Sequence, residues 1–266
     1  MKVVILCGGM GTRLREETEY RPKPMIEIGG RPILWHIMKI YAHYGFSEFI
    51  LCLGYKGWMI KEYFLNYAMM HGDFTLEIGK KNDIQFHNDQ SEEGWKVTLA
   101  ETGLNAMTGS RVKKIEKYID DDTFMLTYGD GVADINILDL LKFHQQHGKI
   151  GTVTGVCPPS RYGELFAKDN CIVQFDEKPQ SYAGLISGGF FVFNRRIFDY
   201  LDDNDNCIFE GEPVKNLVAD EELMVYKHVG FWQCMDTYRD FTYLNGIWEK
   251  GEVPWKVWEN EHILAR

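Results

Sequence analysis

Val3-Val4-Ile5-Leu6-Cys7-Gly8-Gly9-Met10-Gly11-Thr12-Arg13-Leu14 is the stretch from which the fold is read, and it continues to Lys23-Pro24-Met25. Val3 to Leu6 is a short apolar run of the kind that makes a buried strand. The chain then breaks into Gly8, Gly9 and Gly11, where the absence of Cβ lets backbone approach a ligand closely. Free N–H groups in such a loop line a concave anion site. Thr12 and Arg13 end the loop, and Lys23 follows between Pro22 and Pro24. Arg13 brings a planar fork of donors and Lys23 a point charge. The pattern predicts a grip on a phosphate-bearing ligand, with a nucleoside triphosphate the expected one.

Two better-known phosphate loops do not fit. A Walker A loop needs Gly-Lys-Ser/Thr after a glycine and four residues, an order absent here. The dinucleotide fingerprint G-x-G-x-x-G starts with Gly9 and Gly11, but Leu14 stands at its third glycine. Its acidic partner should end the next strand, whereas Glu27 is followed by Ile28-Gly29-Gly30, which reads as a turn.

Outward from this loop the periodicity alternates. Leu34, Ile37, Met38 and Tyr41 recur at helical spacing behind Pro32, and Gly45 stops that helix. Phe49–Leu53 reads as a second buried strand, and a helix is expected from Trp58 to Met70. The β-α-β-α order predicts an α/β fold: a doubly wound, mostly parallel mixed sheet flanked by helices. Residues 71–101 read as a small antiparallel insertion of three short strands: Phe74–Ile78, Ile84–His87 and Val97–Glu101. A helix is expected from Gly109 to Tyr118, a buried strand from Thr123 to Tyr128, and a helix from Ile135 to Gly148. Further strands follow at Gly151–Cys157 and Leu223–His228, with a mixed extension of the sheet between Pro158 and Phe193. Asn194–Leu201 and Glu212–Asp220 read as helical. A helical C-terminal tail spans 238–266. No linker divides the chain, so residues 1–266 are read as one domain.

Composition narrows the class. The chain has 266 residues, 45% of them hydrophobic, and a formal charge of −10. That acidity argues against nonspecific nucleic-acid binding, which relies on Lys and Arg. No apolar run approaches the length of a membrane span, and no signal-peptide pattern precedes the first strand. The six cysteines are scattered without C-x-x-C spacing. Buried free thiols and a cytoplasmic protein are expected.

Two carboxylates stand at positions that carry chemistry. Asp130 lies between Gly129 and Gly131 at the carboxyl end of a strand, where open α/β sheets bind ligands. That pair of glycines can also mean only a tight turn. Asp236 follows the apolar run Phe231–Met235, as either a helix N-cap or a ligand. Together they would suit Mg²⁺, which takes one or two carboxylates plus substrate phosphates. His144 and His147 lack further ligands at suitable spacing, so a solvated helix face is expected rather than zinc.

GGMGTRL followed by KP resembles the signature of the sugar-phosphate nucleotidyltransferases, also called nucleotide-sugar pyrophosphorylases. The likeness runs through KPMIEIGGRPILWHIMKIY, GYKGWMIKEYF, TYGDGVAD, FDEKP, SGGFFVF and GFWQCMDT. Within the family it points to the branch that joins CTP to glucose 1-phosphate and releases pyrophosphate. It implies a Rossmann-like nucleotidyltransferase fold and an Mg²⁺ held by Asp130 and Asp236, with Arg13, Lys23 and Asp130 as catalytic residues. It implies a nucleotide site of Leu6, Gly8, Gly9, Gly11, Thr12, Arg13, Lys23, Thr102, Gly103, Arg111 and Tyr128. It places the sugar phosphate at Gly163, Glu177, Lys178 and Gly188. Arg111 is expected at cytosine O2, although such a residue is more often on a helix surface. Tyr128 could equally be core.

The implied reaction brings its own nucleophile. That agrees with the absence of a G-x-S-x-G elbow. Asp203-Asn204-Asp205 spells the metal motif of glycosyltransferases, but it lies in a polar, turn-like stretch. A homo-oligomer is expected; the tail residues Trp248, Trp255 and Trp258 suit either subunit contacts or internal packing.

Overall fold

The apolar runs become strands of one sheet. The computed structural model describes residues 1–79, 84–87, 92, 94–158, 164–168, 171–176 and 184–259. The sheet strands are β1 (Lys2–Leu6), β2 (Glu48–Leu53), β3 (Lys96–Glu101), β4 (Thr123–Tyr128), β5 (Gly151–Val156), β6 (Ile186–Asn194) and β7 (Leu223–His228). Their spatial order is β7-β5-β6-β4-β1-β2-β3. Neighbours run parallel except where β6 meets β4 and β5.

Both faces of the sheet are covered, as parallel strands require. Alternate side chains of β1 and β2 feed opposite cores. Val3, Ile5, Phe49 and Leu51 pack with Ile37, Met38 and Tyr41 of α1 (Ile33–His43), Ile60 of α2 (Gly57–Leu65) and Leu140 of α4 (Ile137–His147). Val4, Leu6, Ile50 and Cys52 pack with Val112 of α3 (Thr108–Lys114) and Leu217 of α5 (Glu212–Ala219). Each fully buried aliphatic side chain contributes roughly 1.5–3 kcal/mol. The fold is therefore doubly wound, as the alternating periodicity predicts.

The helical tail expected over 238–266 is an α-helix, α6, over Tyr238–Lys250, ends at Gly251 and is followed by a 3₁₀ turn at Val257–Glu259. Beyond α6, Trp255 is completely buried, and its indole Nε1 donates to His36 Nδ1 at 3.4 Å. The tail tryptophans Trp248, Trp255 and Trp258 surround His36. Their packing is internal.

Four further expectations need correction. Residues 96–101 are not part of an antiparallel insertion. They pair parallel with β2 from Glu48–Lys96 to Leu53–Glu101, as an edge strand of the main sheet. Period-2 alternation marks a half-buried strand but carries no information about its neighbour's direction. Only Phe74–Leu76 and Ile84–Phe86 form the antiparallel pair. The helix expected over Trp58–Met70 ends at Leu65 and restarts at Tyr67, and Asn66 donates its side-chain amide to Glu62 O at 2.9 Å. Such local bonding by Asn competes with the helix. Residues 195–200 and 116–118 are 3₁₀ turns rather than α-helix. His144 is buried, not solvated: it and His147 both bond Thr152 Oγ1, at 2.9 and 2.7 Å.

All six cysteines are free. Among the described residues no helix is long and apolar enough to cross a membrane.

Candidate active site

Strand register builds the first wall. Leu6 of β1 pairs with Tyr128 of β4, and Gly129 N donates to Leu6 O at 3.1 Å. The loops after both strands therefore emerge side by side at the carboxyl edge of the sheet. The glycine loop is shaped from within by Thr18, whose hydroxyl donates to Gly11 O at 3.1 Å and Leu14 O at 2.9 Å. Gly11 turns with φ +63°, and a Cβ there would lie 2.6 Å from Thr18 Cγ2. A Cβ on Gly8 would lie 2.2 Å from Arg111 Cζ. Gly9 has open space around it, so nothing steric requires a glycine there.

A second connection brings in the distant carboxylate. Gly131–Ala133 and Trp232–Cys234 form a short antiparallel ribbon in which Cys234 pairs with Gly131. Met235 N donates to Asp130 O at 2.8 Å, which sets Asp236 beside Asp130. The capping role that the sequence left open for Asp236 belongs to Thr237. Asp240 completes the capping box, accepting from Thr237 N at 2.8 Å and from Asp236 N at 3.1 Å. Asp236 is thereby free to turn its carboxylate toward Asp130 and Lys23.

Lys23 sits between the two acids. Its Nζ donates to Asp130 Oδ2 at 2.6 Å and to Asp236 Oδ1. Arg13 Nη1 meets the other oxygen of Asp236 at 2.9 Å. Burial works against the Lys23 ammonium, but the charges and hydrogen bonds of Asp130 and Asp236 outweigh it, so its pKa is raised. Burial likewise opposes ionisation of Asp236, and Lys23 and then Arg13 overcome it, lowering its pKa. The four groups form one charge-balanced cluster.

The cluster opens into a cleft of about 440 Å³. Leu6, Gly8, Gly9, Gly11, Thr12, Arg13, Lys23, Arg111, Tyr128, Asp130 and Asp236 all line it. So do Met10, Met107 and Thr108, which sequence reasoning missed: a single sequence does not reveal that the start of α3 folds over the glycine loop. The two carboxylates converge on one nitrogen atom, and their hard oxygens fit Mg²⁺. Among the described residues no group of three or more His, Cys, Asp or Glu is placed to hold a metal.

Arg111 is not the surface helix residue that its position alone favours. It is buried, and its guanidinium donates to Leu53 O (2.9 Å), Thr102 Oγ1 (2.7 Å), Gly103 O (2.8 Å), Gly8 O (3.1 Å) and Leu104 O (3.3 Å). Its side chain knots the carboxyl ends of β1, β2 and β3 together. Thr102 and Gly103 serve as acceptors in that knot. Gly188 lies in β6, where its carbonyl accepts from Trp232 Nε1 at 2.7 Å, outside the cleft lining. Gly163, Glu177 and Lys178 lie outside the described residues. Asp205 pairs with Lys114 at 2.5 Å beside α3.

Residues 2–245 match the family model described as nucleotidyl transferase. A glucose-1-phosphate cytidylyltransferase of Salmonella typhimurium is 50% identical over 260 residues, covering 97% of this chain and 100% of that protein. A mannose-1-phosphate guanylyltransferase catalytic subunit beta of Dictyostelium discoideum is 30% identical over 260 residues, covering 94% and 66%. A UDP-glucose pyrophosphorylase solved with UDP-glucose shares the fold with TM-score 0.66 at 15% identity, covering 94% and 98%. An inositol-1-phosphate CTP transferase from T. maritima shares it with TM-score 0.61 at 15% identity, covering 93% and 96%.

Proposed function

The chain belongs to the nucleotidyl transferase family, and from that premise we propose that it joins CTP to α-D-glucose 1-phosphate, giving CDP-glucose and pyrophosphate. The substrate assignment follows the cytidylyltransferase relative at 50% identity. The observation that carries the mechanism is the Lys23 ammonium bonded to both Asp130 and Asp236, with Arg13 on the same Asp236.

A phosphate oxygen of the sugar phosphate forms the new bond to the α-phosphorus. The bond from that phosphorus to the bridging oxygen breaks, and its electron pair leaves with pyrophosphate. The protein supplies alignment and charge compensation. Backbone amides of Gly8–Gly11, with Arg13, hold the β- and γ-phosphates. Lys23 steadies the α-phosphate and the attacking phosphate. Asp130 and Asp236 are the residues that would hold Mg²⁺, which supplies neutralisation of phosphate charge when bound. Lys178 is assigned to the acceptor phosphate on family resemblance.

Pyrophosphate release with glucose 1-phosphate and Mg²⁺, measured separately with each nucleoside triphosphate, tests the assignment. CTP should give the highest kcat/KM. Equal or better rates with UTP or dTTP would overturn the cytidylyl reading.

A further inference from the structure

Glu210 belongs to no motif in the sequence, yet its carboxylate ties together two walls of the cleft. Its Oε1 accepts from the Tyr128 hydroxyl, and its Oε2 accepts from Thr108 Oγ1 at 2.7 Å. Tyr128 ends β4 and Thr108 begins α3, and both line the cleft. Glu210 is therefore a bridge between the sheet and the helix at the rim of the nucleotide site.

The bridge is anchored behind. Phe209 is fully buried in the core below α3, and its N–H donates to Thr108 Oγ1 at 2.9 Å. Cys207 O accepts from Gly109 N at 2.9 Å and from Ser110 N at 3.1 Å, and Met107 N donates to Asp205 O at 2.8 Å. Residues 205–210 are thus fastened along the first turn of α3. On the other side, the Tyr128 ring rests on Gly189, where φ is +79° and a Cβ would lie 2.5 Å from Tyr128 Cδ2. The ring is fixed at its face by a glycine and at its hydroxyl by Glu210. Burial first, and then the Glu210 charge, push the Tyr128 pKa up, which keeps the phenol a donor.

An exposed carboxylate beside a polyanion site is unfavourable by charge alone. Its use of both oxygens on cleft-lining hydroxyls gives it a different task. We propose that Glu210 is a positioning residue for nucleotide binding, setting the spacing between Tyr128 and Thr108. This rests on the reading of the cleft as a nucleotide site. The inference concerns binding and leaves the bond-making groups Arg13, Lys23, Asp130 and Asp236 untouched.

The test uses the full-length protein with Glu210→Ala, Glu210→Gln, Tyr128→Phe and the double variant Tyr128→Phe/Glu210→Ala. CTP affinity is read by calorimetry with Mg²⁺, and KM and kcat by pyrophosphate release. Losing charge-assisted hydrogen bonds should weaken CTP binding about tenfold in Glu210→Ala. Its kcat should stay within about threefold of wild type, since the lost interaction is made in ground and transition states alike. Glu210→Gln, which keeps a carbonyl acceptor for Tyr128, should recover most of the affinity. The double variant should be no weaker than Glu210→Ala. Unchanged CTP affinity in Glu210→Ala would overturn the proposal. So would additive losses, or a fall in kcat at constant KM. Should wild type prefer another nucleoside triphosphate, the substrate assignment fails, and the same affinity comparison made with that nucleotide still decides the role of Glu210.

Discussion

At the scale of single residues, Lys23 carries the site. A buried ammonium needs compensation, and Asp130 and Asp236 provide it. Truncating Lys23 removes the cation that Asp130 and Asp236 share and leaves Arg13 on Asp236 alone. Lys23→Ala should therefore lower kcat/KM by about a hundredfold, close to 3 kcal/mol of transition-state stabilisation. Circular dichroism and pyrophosphate release check this together: a native spectrum with a near-normal rate would remove Lys23 from the mechanism. Arg111 shows the opposite case. Its charge is legible in the sequence, but its partners Leu53 O, Gly8 O and Gly103 O are backbone atoms, and backbone acceptors leave no mark in composition.

At the scale of elements, the start of α6 decides where Asp236 points. Thr237 and Asp240 form a reciprocal cap, and Asp240 also accepts from Asp236 N. Asp240→Ala should destabilise the protein by about 1 kcal/mol, the usual cost of a lost cap. It should also reduce kcat, because the cap holds the backbone of a residue assigned to the metal. Urea midpoints and turnover measured on the same variant check both effects; an unchanged kcat would uncouple the cap from the site. The Gly131–Ala133 and Trp232–Cys234 ribbon acts at this scale too. Each strand is three residues long and too short to stand out in a hydrophobic pattern. Without it Asp130 and Asp236 would have no fixed separation.

At the scale of the whole molecule, two buried histidines make the fold sensitive to acid. Burial, the dominant influence, lowers His36 to about 4, although hydrogen bonds to backbone act against it. Burial and then the neighbouring His147 lower His144 to about 4. An unfolded histidine titrates near 6.5. Between these values the unfolded chain binds more protons than the native one, so stability falls as pH falls from about 6.5 towards 4. With both histidines contributing, the slope approaches roughly 2.7 kcal/mol per pH unit. The lowered Asp236 pKa adds a further loss below that window, as its carboxylate takes up a proton. Urea unfolding at pH 7 and pH 4.5 measures the effect, and His36→Gln should flatten the slope by about half. Equal stability at both pH values would contradict it.

Much of this architecture was legible without coordinates. The alternation of apolar strands and amphipathic helices determined the doubly wound sheet, because burial on both faces leaves periodic marks in the chain. The glycine loop with Arg13 and Lys23, and the carboxylates at positions 130 and 236, were legible because charge and glycine placement are local properties. What the sequence left undetermined needed contacts between distant segments. Tertiary structure alone assigned β3 to the sheet edge, turned Arg111 inward, gave the cap to Thr237 and brought Glu210 to Tyr128 and Thr108. Periodicity records which side chains are buried, whereas strand direction, backbone acceptors and cross-chain hydrogen bonds depend on which segments meet in space.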